Sequence, residues 1–285
     1  MKKQENIESL INISHQVGAN ISYIQGGGGN TSVKINNSLM AIKSSGTNLI
    51  NMSKEKGQTL VDFKKITQLL KEPSLEEDDF SNKINSYSKD KFQRPSIETG
   101  FHSLLGKFVI HTHSVFINVL LCCKEGKLLI KELFPNSSWV DYFSPGKNLT
   151  LAIKKELAKE KKKFSEDKVV FLQNHGLIVS SNSGLKSLKL HEKINQKVRS
   201  YYNLSDFKII KSFEEQNRAI FPDQIVYLDE TNEDLSRSAI ETLSAYSYII
   251  KEIKKLNLTP NYLTKSDVRK IKSMESEKYR KSLEK

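Results

Sequence analysis

The segment from Lys107 to Cys123, KFVIHTHSVFINVLLCC, constrains the fold of this chain most strongly. Its first seven residues read as an apolar strand, and the next ten as a buried helix. Helix and strand signals alternate on either side. A short helix is expected at 96–105, and downstream come the strand-like KLLIKELF (127–134) and WVDYF (139–143) before Pro145-Gly146. A lysine-rich helix (147–163) follows, then strands VVFLQ (169–173) and LIVSS (177–181) around a turn at Asn174-His175-Gly176, and a closing helix at 184–202. Nearer the start, an amphipathic helix (5–19) stops in SYIQGGGGN. The segments TSVKI (31–35) and SLMAIKSS (38–45) then form a hairpin across Asn36-Asn37, a dipeptide that tolerates positive φ. The polar stretch from Glu72 to Arg94 reads as a long surface loop. Hairpins outnumber clear βαβ repeats, so residues 1–205 are expected to form one α/β domain with a mixed or largely antiparallel central sheet flanked by helices. Residues 206–285 are expected to be a C-terminal extension, with FPDQIVYL (221–228) as one extended segment and two helices near 233–256 and 266–284.

Charge and cysteine usage narrow the function classes. The 45 Lys+Arg residues exceed the 33 Asp+Glu by 12, which invites nucleic-acid or anionic-metabolite readings. The excess is scattered, densest at Lys154 to Lys163 and Lys265 to Lys285, and no aromatic residues interleave with it as base-stacking platforms. It reads as a solvated basic surface, so no nucleic-acid partner is expected. No apolar run approaches the roughly 20 residues needed to span a bilayer, and Glu5, Glu8 and His15 interrupt any signal-peptide core. The expectation is a cytoplasmic protein with no membrane partner. Cys122 and Cys123 are adjacent and cannot form an ordinary disulfide with each other, so they read as small buried hydrophobes in a reducing compartment. No CxxC knuckle is present, and any metal must be held by other ligands.

Four of the six histidines fall in two short segments, His102, His111 and His113 in the first and His175 in the second. On a strand, positions i and i+2 share a face, so His111 and His113 form a two-ligand arm at a strand end. His175, in a turn after a buried strand, is placed to supply a third imidazole and leave a coordination position open. Taken alone, such a pair also fits two partly exposed histidines. Glu98, four residues before His102 on the short helix, can serve as ligand, base or both; it equally fits an ordinary first-turn acid behind a Ser96 N-cap. The loop Gly26-Gly27-Gly28-Gly29-Asn30 is no Walker sequence, yet its glycines and the Asn30 amide can approach an anion closely. With Ser44-Ser45-Gly46-Thr47 and Ser96 it could cradle a phosphate, although either loop alone also fits a plain turn.

In this order, GGGGNTSVKI, AIKSSGTNL, PSIETGFHSLL, FVIHTH and LQNHGLIV resemble the class II aldolase/adducin superfamily over about residues 5–205. Within it they are most similar to the sugar-phosphate aldolases that cleave fuculose or rhamnulose 1-phosphate. The resemblance implies a three-layer fold, a role in carbohydrate metabolism and a divalent metal, zinc on ligand grounds, on His111, His113 and His175. It further implies that Glu98 is the catalytic acid/base and that Asn30, Ser45, Gly46 and Ser96 hold the substrate phosphate. Where such aldolases often carry two serines before the glutamate, Ile97 follows Ser96 here. The implied reaction is reversible cleavage of a ketose phosphate, through an enediolate, to a ketone phosphate like dihydroxyacetone phosphate and an aldehyde. Related branches are epimerases and decarboxylases, which need a second acid/base, for which Tyr142 and Tyr227 are candidates. Non-catalytic adducin-like assembly proteins are a further alternative. The implied assembly is a homotetramer, for which Trp139, Tyr142 and Phe143 and the C-terminal helices offer contact surface.

Overall fold

The computed structural model describes residues 2–72, 74–90, 93–159, 167–213, 218–227 and 235–282. Its strands are β1 (Asn30–Lys34), β2 (Leu39–Lys43), β3 (Gln58–Asp62), β4 (Phe108–Thr112), β5 (Ser138–Val140), β6 (Lys168–Leu172) and β7 (Gly176–Ser181). The helices are α1 (Lys2–Gly18), α2 (Phe63–Leu69), α3 (Glu77–Ser86), α4 (Thr99–Leu104), α5 (Val115–Leu121) and α6 (Gly126–Leu133). They continue with α7 (Lys147–Lys159), α8 (Gly184–Tyr201), α9 (Pro222–Tyr227), α10 (Arg237–Lys255), α11 (Lys265–Ser273) and α12 (Glu275–Ser282).

The strands form one sheet in the order β3-β2-β1-β4-β7-β6-β5. Every pairing is antiparallel except β5–β6 at one edge. The mixed, largely antiparallel sheet flanked by helices is therefore as expected. β4 is central and buried along its whole length, which is why its sequence is apolar on both faces. Its register places Asn30 of β1 opposite His111, and Ile178 of β7 on the other side. Three elements distant in sequence thus meet at the end of one strand.

Four local expectations are corrected. Residues 127–134 are helical, as α6, with Ile130 and Leu133 buried and Leu128 turned out to solvent. That one-sided burial is the pattern of a helix and not of a two-faced strand. Within 72–94 lies α3, which inserts Phe80 and Ile84, one turn apart, beneath Met40 and Ile42 of the sheet in a shared core cluster. The segment 221–228 contains α9, opened by Pro222 at a position where a proline's missing N–H costs nothing. The extended stretch expected there is absent among the described residues, and residues 206–285 carry four helices instead of two. The short helix expected from 96 begins at Thr99, with Glu98 in the cap position. The reason is that residues 94–96 are tied to the end of β2, Ser96 donating its N–H to Lys43 O at 3.1 Å and Ser45 donating its N–H to Arg94 O at 2.8 Å. Residues 160–163 of the expected 147–163 helix and of the lysine-rich Lys154 to Lys163 run lie outside the described residues, as do 228, 233–234 and 283–285.

The C-terminal helices do not sit apart. α10 packs against α5, and Ile249 and Ile253 share a core cluster with Val119 and Leu120. Cys122 and Cys123 are buried free thiols in that cluster, and burial pushes the Cys123 thiol up to about 12. No helix among the described residues is long and apolar enough to cross a membrane.

Candidate metal centre

At the end of β4, His111 and His113 direct their Nε2 atoms at each other, 3.0 Å apart. Glu98 faces them from the start of α4, with Oε2 3.4 Å from His111 Nε2. The turn between β6 and β7 brings His175, whose Nε2 lies 3.1 Å from Glu98 Oε1. The four potential ligand atoms lie within 4.8 Å of one another, and all four residues are buried. The expected residues are therefore brought together.

The backs of the imidazoles indicate which nitrogens are free to bind. His111 Nδ1 lies 3.0 Å from Leu177 O, a carbonyl that can only accept, so this nitrogen carries the proton and Nε2 bears the lone pair. His113 Nδ1 lies 2.6 Å from Asp223 Oδ2, which imposes the same tautomer. Burial drives the His111 pKa well below the usual imidazole value and keeps the ring neutral. For Glu98, burial works against the charged carboxylate, and the Asn30 amide, donating to Oε2 at 2.6 Å, favours it. Glu98 Oε1 is buried and has no hydrogen-bond partner among the described residues. Lone pairs facing lone pairs repel unless something positive lies between them. With metal–ligand bonds of about 2.0–2.1 Å, adjacent ligand atoms stand about 2.9 Å apart at right angles and about 3.3 Å apart in a tetrahedron. Three of the separations, 3.0, 3.1 and 3.4 Å, match this range, and the whole set lies within 4.8 Å, so the residues present fit a divalent cation.

A chain of hydrogen bonds orients Glu98. His102 is fully buried, and burial lowers its pKa to about 3, so it is neutral. It accepts from Ser32 Oγ at 2.7 Å through Nδ1 and donates through Nε2 to Asn30 Oδ1. That fixes the amide flip, and Asn30 Nδ2 donates to Glu98 Oε2 at 2.6 Å and to Ser96 Oγ at 3.2 Å. Asn30 thus spends both amide hydrogens on the glutamate and the serine. Ser45, Gly46 and Ser96 line the same cavity as Asn30, Glu98, His113 and His175. So do residues of the C-terminal segment that the sequence did not point to, namely Pro222, Asp223, Ser276 and Glu277. The expected tyrosines do not line it: Tyr142 packs beside the cluster of Ile225, Leu263 and Ile271, and Tyr227 is buried on α9.

The glycine run has a tighter structural task than the sequence suggested. Gly29 adopts φ +60°, and a side chain there would strike the carbonyl of His111. Asn174 likewise takes φ 54° to turn the chain into His175. Its Nδ2 donates to Ile220 O at 2.8 Å and to Asn261 O at 2.6 Å.

His102 and His191, the latter also lowered to about 3 by burial, make the fold acid-sensitive. In the unfolded chain both would titrate near 6.5, so below that pH the unfolded state binds protons that the folded state refuses. Stability is full above about pH 6.5 and falls as pH drops towards 3, by up to about 1.4 kcal/mol per pH unit for each histidine. Denaturant titrations at pH 7, 5.5 and 4.5 should show this slope, and His191→Gln should flatten it.

A model of the class II aldolase and adducin N-terminal domain family matches residues 8–202. The chain belongs to this family. This class II aldolase-family protein is 28% identical over 212 residues to the uncharacterized oxidoreductase YuxG of Bacillus subtilis strain 168, a match covering 70% of this chain and 30% of that protein. The chain thus spans about a third of the curated relative's length. Its fold is similar to the N-terminal class II aldolase domain of a conserved protein from Thermoplasma acidophilum, with TM-score 0.61, 22% identity and coverage of 69% of this chain and 93% of the other. It is also similar to YgbL from Escherichia coli, with TM-score 0.51, 16% identity and coverage of 95% and 99%.

Proposed function

We propose that this protein is a metal-dependent carbon–carbon lyase, an aldolase that reversibly cleaves a ketose phosphate through an enediolate to a ketone phosphate and an aldehyde. The convergence of Glu98, His111, His113 and His175 carries this reading. His111, His113 and His175 would hold the cation, zinc by the chemistry of three imidazole nitrogens, and Glu98 is close enough to share it. Once bound there, a cation would supply Lewis-acid polarisation of a carbonyl. Glu98, ionised and pointed by Asn30, takes and returns the proton at the substrate carbon next to that carbonyl. Asn30, Ser45, Gly46 and Ser96 hold the phosphate, Asn30 through the Ser96 hydroxyl to which it donates, and their shared cavity with the histidines supports this placement. The presence of all four ligand residues supports this reading over a non-catalytic adducin-like assembly protein. The proposal includes a cytoplasmic homotetramer and a family domain of residues 1–205 that carries the ligand set, followed by an extension of 206–285 whose residues Pro222, Asp223, Ser276 and Glu277 also line the cavity.

The zinc-loaded protein, incubated with pentulose and deoxyhexulose phosphates and their unphosphorylated counterparts, should release dihydroxyacetone phosphate from at least one phosphorylated member. The unphosphorylated set is included because Asp223 and Glu277 place two carboxylates on the same cavity. Interconversion of ketoses without a ketone phosphate, or release of carbon dioxide from an oxo-acid phosphate, would replace the aldolase reading by an epimerase or a decarboxylase.

A further inference from the structure

The three imidazoles at the centre are backed differently. His111 rests on the carbonyl of Leu177, and His175 Nδ1 is buried with no hydrogen-bond partner among the described residues. His113 rests on a carboxylate, Asp223, buried on α9 at 2.6 Å and 110 residues further along the chain. We propose that Asp223 is a positioning residue of the metal centre, which makes the segment beyond residue 205 a working part of the site. The inference rests on the metal reading of the cluster and not on the identity of the substrate.

A carboxylate behind an imidazole does two things that a carbonyl does less strongly. It holds the proton on Nδ1, so that Nε2 always faces the ligand cluster with a lone pair, and it raises the basicity of that nitrogen towards a cation. The packing around the pair is built for this contact. A Cβ added at Gly28 would stand 2.7 Å from Asp223 Oδ2 and 2.9 Å from His113 Nδ1, so only glycine lets the loop close over the pair. Gly28 is not in the left-handed region, so the close approach alone accounts for it. The same C-terminal segment reaches the site at two further points. Glu241 of α10 accepts from the Gly26 N–H at 2.8 Å, and the carbonyls of Ile220 and Asn261 hold the Asn174 amide at the His175 turn. The glycine loop, one metal arm and the third histidine are therefore each tied to residues 220–261.

The test compares the wild type with Asp223→Ala, Asp223→Asn and Gly28→Ala, using zinc(II) alone in competition with a chromophoric chelator. Histidine ¹⁵N spectra of the metal-free proteins report the His113 tautomer. Wild type should bind one zinc and show His113 protonated at Nδ1. Asp223→Ala should weaken zinc binding about 10–100-fold and shift His113 towards an Nδ1/Nε2 mixture, with Asp223→Asn at the weaker end of that range. Gly28→Ala leaves both side chains in place but forces them apart, so it should weaken zinc binding in the same direction; it decides the matter if the Asp223 variants do not fold. Wild type that binds no zinc would overturn the metal reading and the proposal together. Tight wild-type binding, with folded variants within threefold of it and an unchanged tautomer, would overturn the role of Asp223 alone.

Discussion

Glu98→Gln should lower kcat by about 10²–10⁴-fold, the usual contribution of a positioned general acid–base, while zinc remains bound. Glutamine keeps the length and shape of the side chain, and its oxygen can still face the histidines. What it loses is the capacity to accept a proton and return it. The Asn30 amide now donates to Glu98 Oε2 at 2.6 Å, and glutamine can accept this bond only with its carbonyl oxygen, which turns its own NH₂ towards His175. KM should change little, because Ser45, Gly46 and Ser96 are untouched. Steady-state kinetics alongside zinc content per chain will check this. A variant within threefold of wild-type kcat would remove Glu98 from the proton transfer.

Removal of the metal is expected to abolish turnover and to loosen the fold. A ligand that binds only the folded state contributes about 2.7 kcal/mol at a hundred times its Kd. For a chain of this size, each kcal/mol moves the melting temperature by about 2–4 °C, so a chelator should lower it by about 5–10 °C, reversibly on return of zinc. His111→Ala should abolish both the turnover and the chelator response, since it deletes the ligand that faces both His113 and Glu98. Calorimetry with and without chelator on the two proteins measures the difference. A chelator effect of the same size in His111→Ala would mean that the stabilising ion sits elsewhere.

Much of this site was legible from local patterns. The two-residue period on a strand brought His111 and His113 to one face, and a turn after a buried strand placed His175. Asn36-Asn37 marked the hairpin that carries Asn30 into register with His111. The misreadings arose where a short apolar run fits two periods. In KLLIKELF the leucines and isoleucine crowd together, and only Leu128, 74% exposed, reveals that the run has one buried face. Phe80 and Ile84, four residues apart in a mostly polar stretch, are the pair that α3 buries, but a single pair is a weak period and the stretch read as a loop. Asp223 is a different matter. Its sequence surroundings, FPDQ, carry no metal-site pattern, and its meaning lies entirely in a partner 110 residues away. Side chains that support a ligand need only proximity, so spacing along the chain does not encode them.

The long reach of those contacts has a consequence for the newly made chain. His113 and Asp223 are separated by 110 residues, Gly26 and Glu241 by 215. At about 5–20 residues per second of synthesis, the histidine pair leaves the ribosome about 5–20 s before the carboxylate that orients it. During that interval β4 can pair with β1, while His113 is still free to turn either nitrogen outward. On the reading of Asp223 as the residue that orients His113, a nascent chain halted before α9 would present its three histidines with the His113 ring not yet held in one orientation.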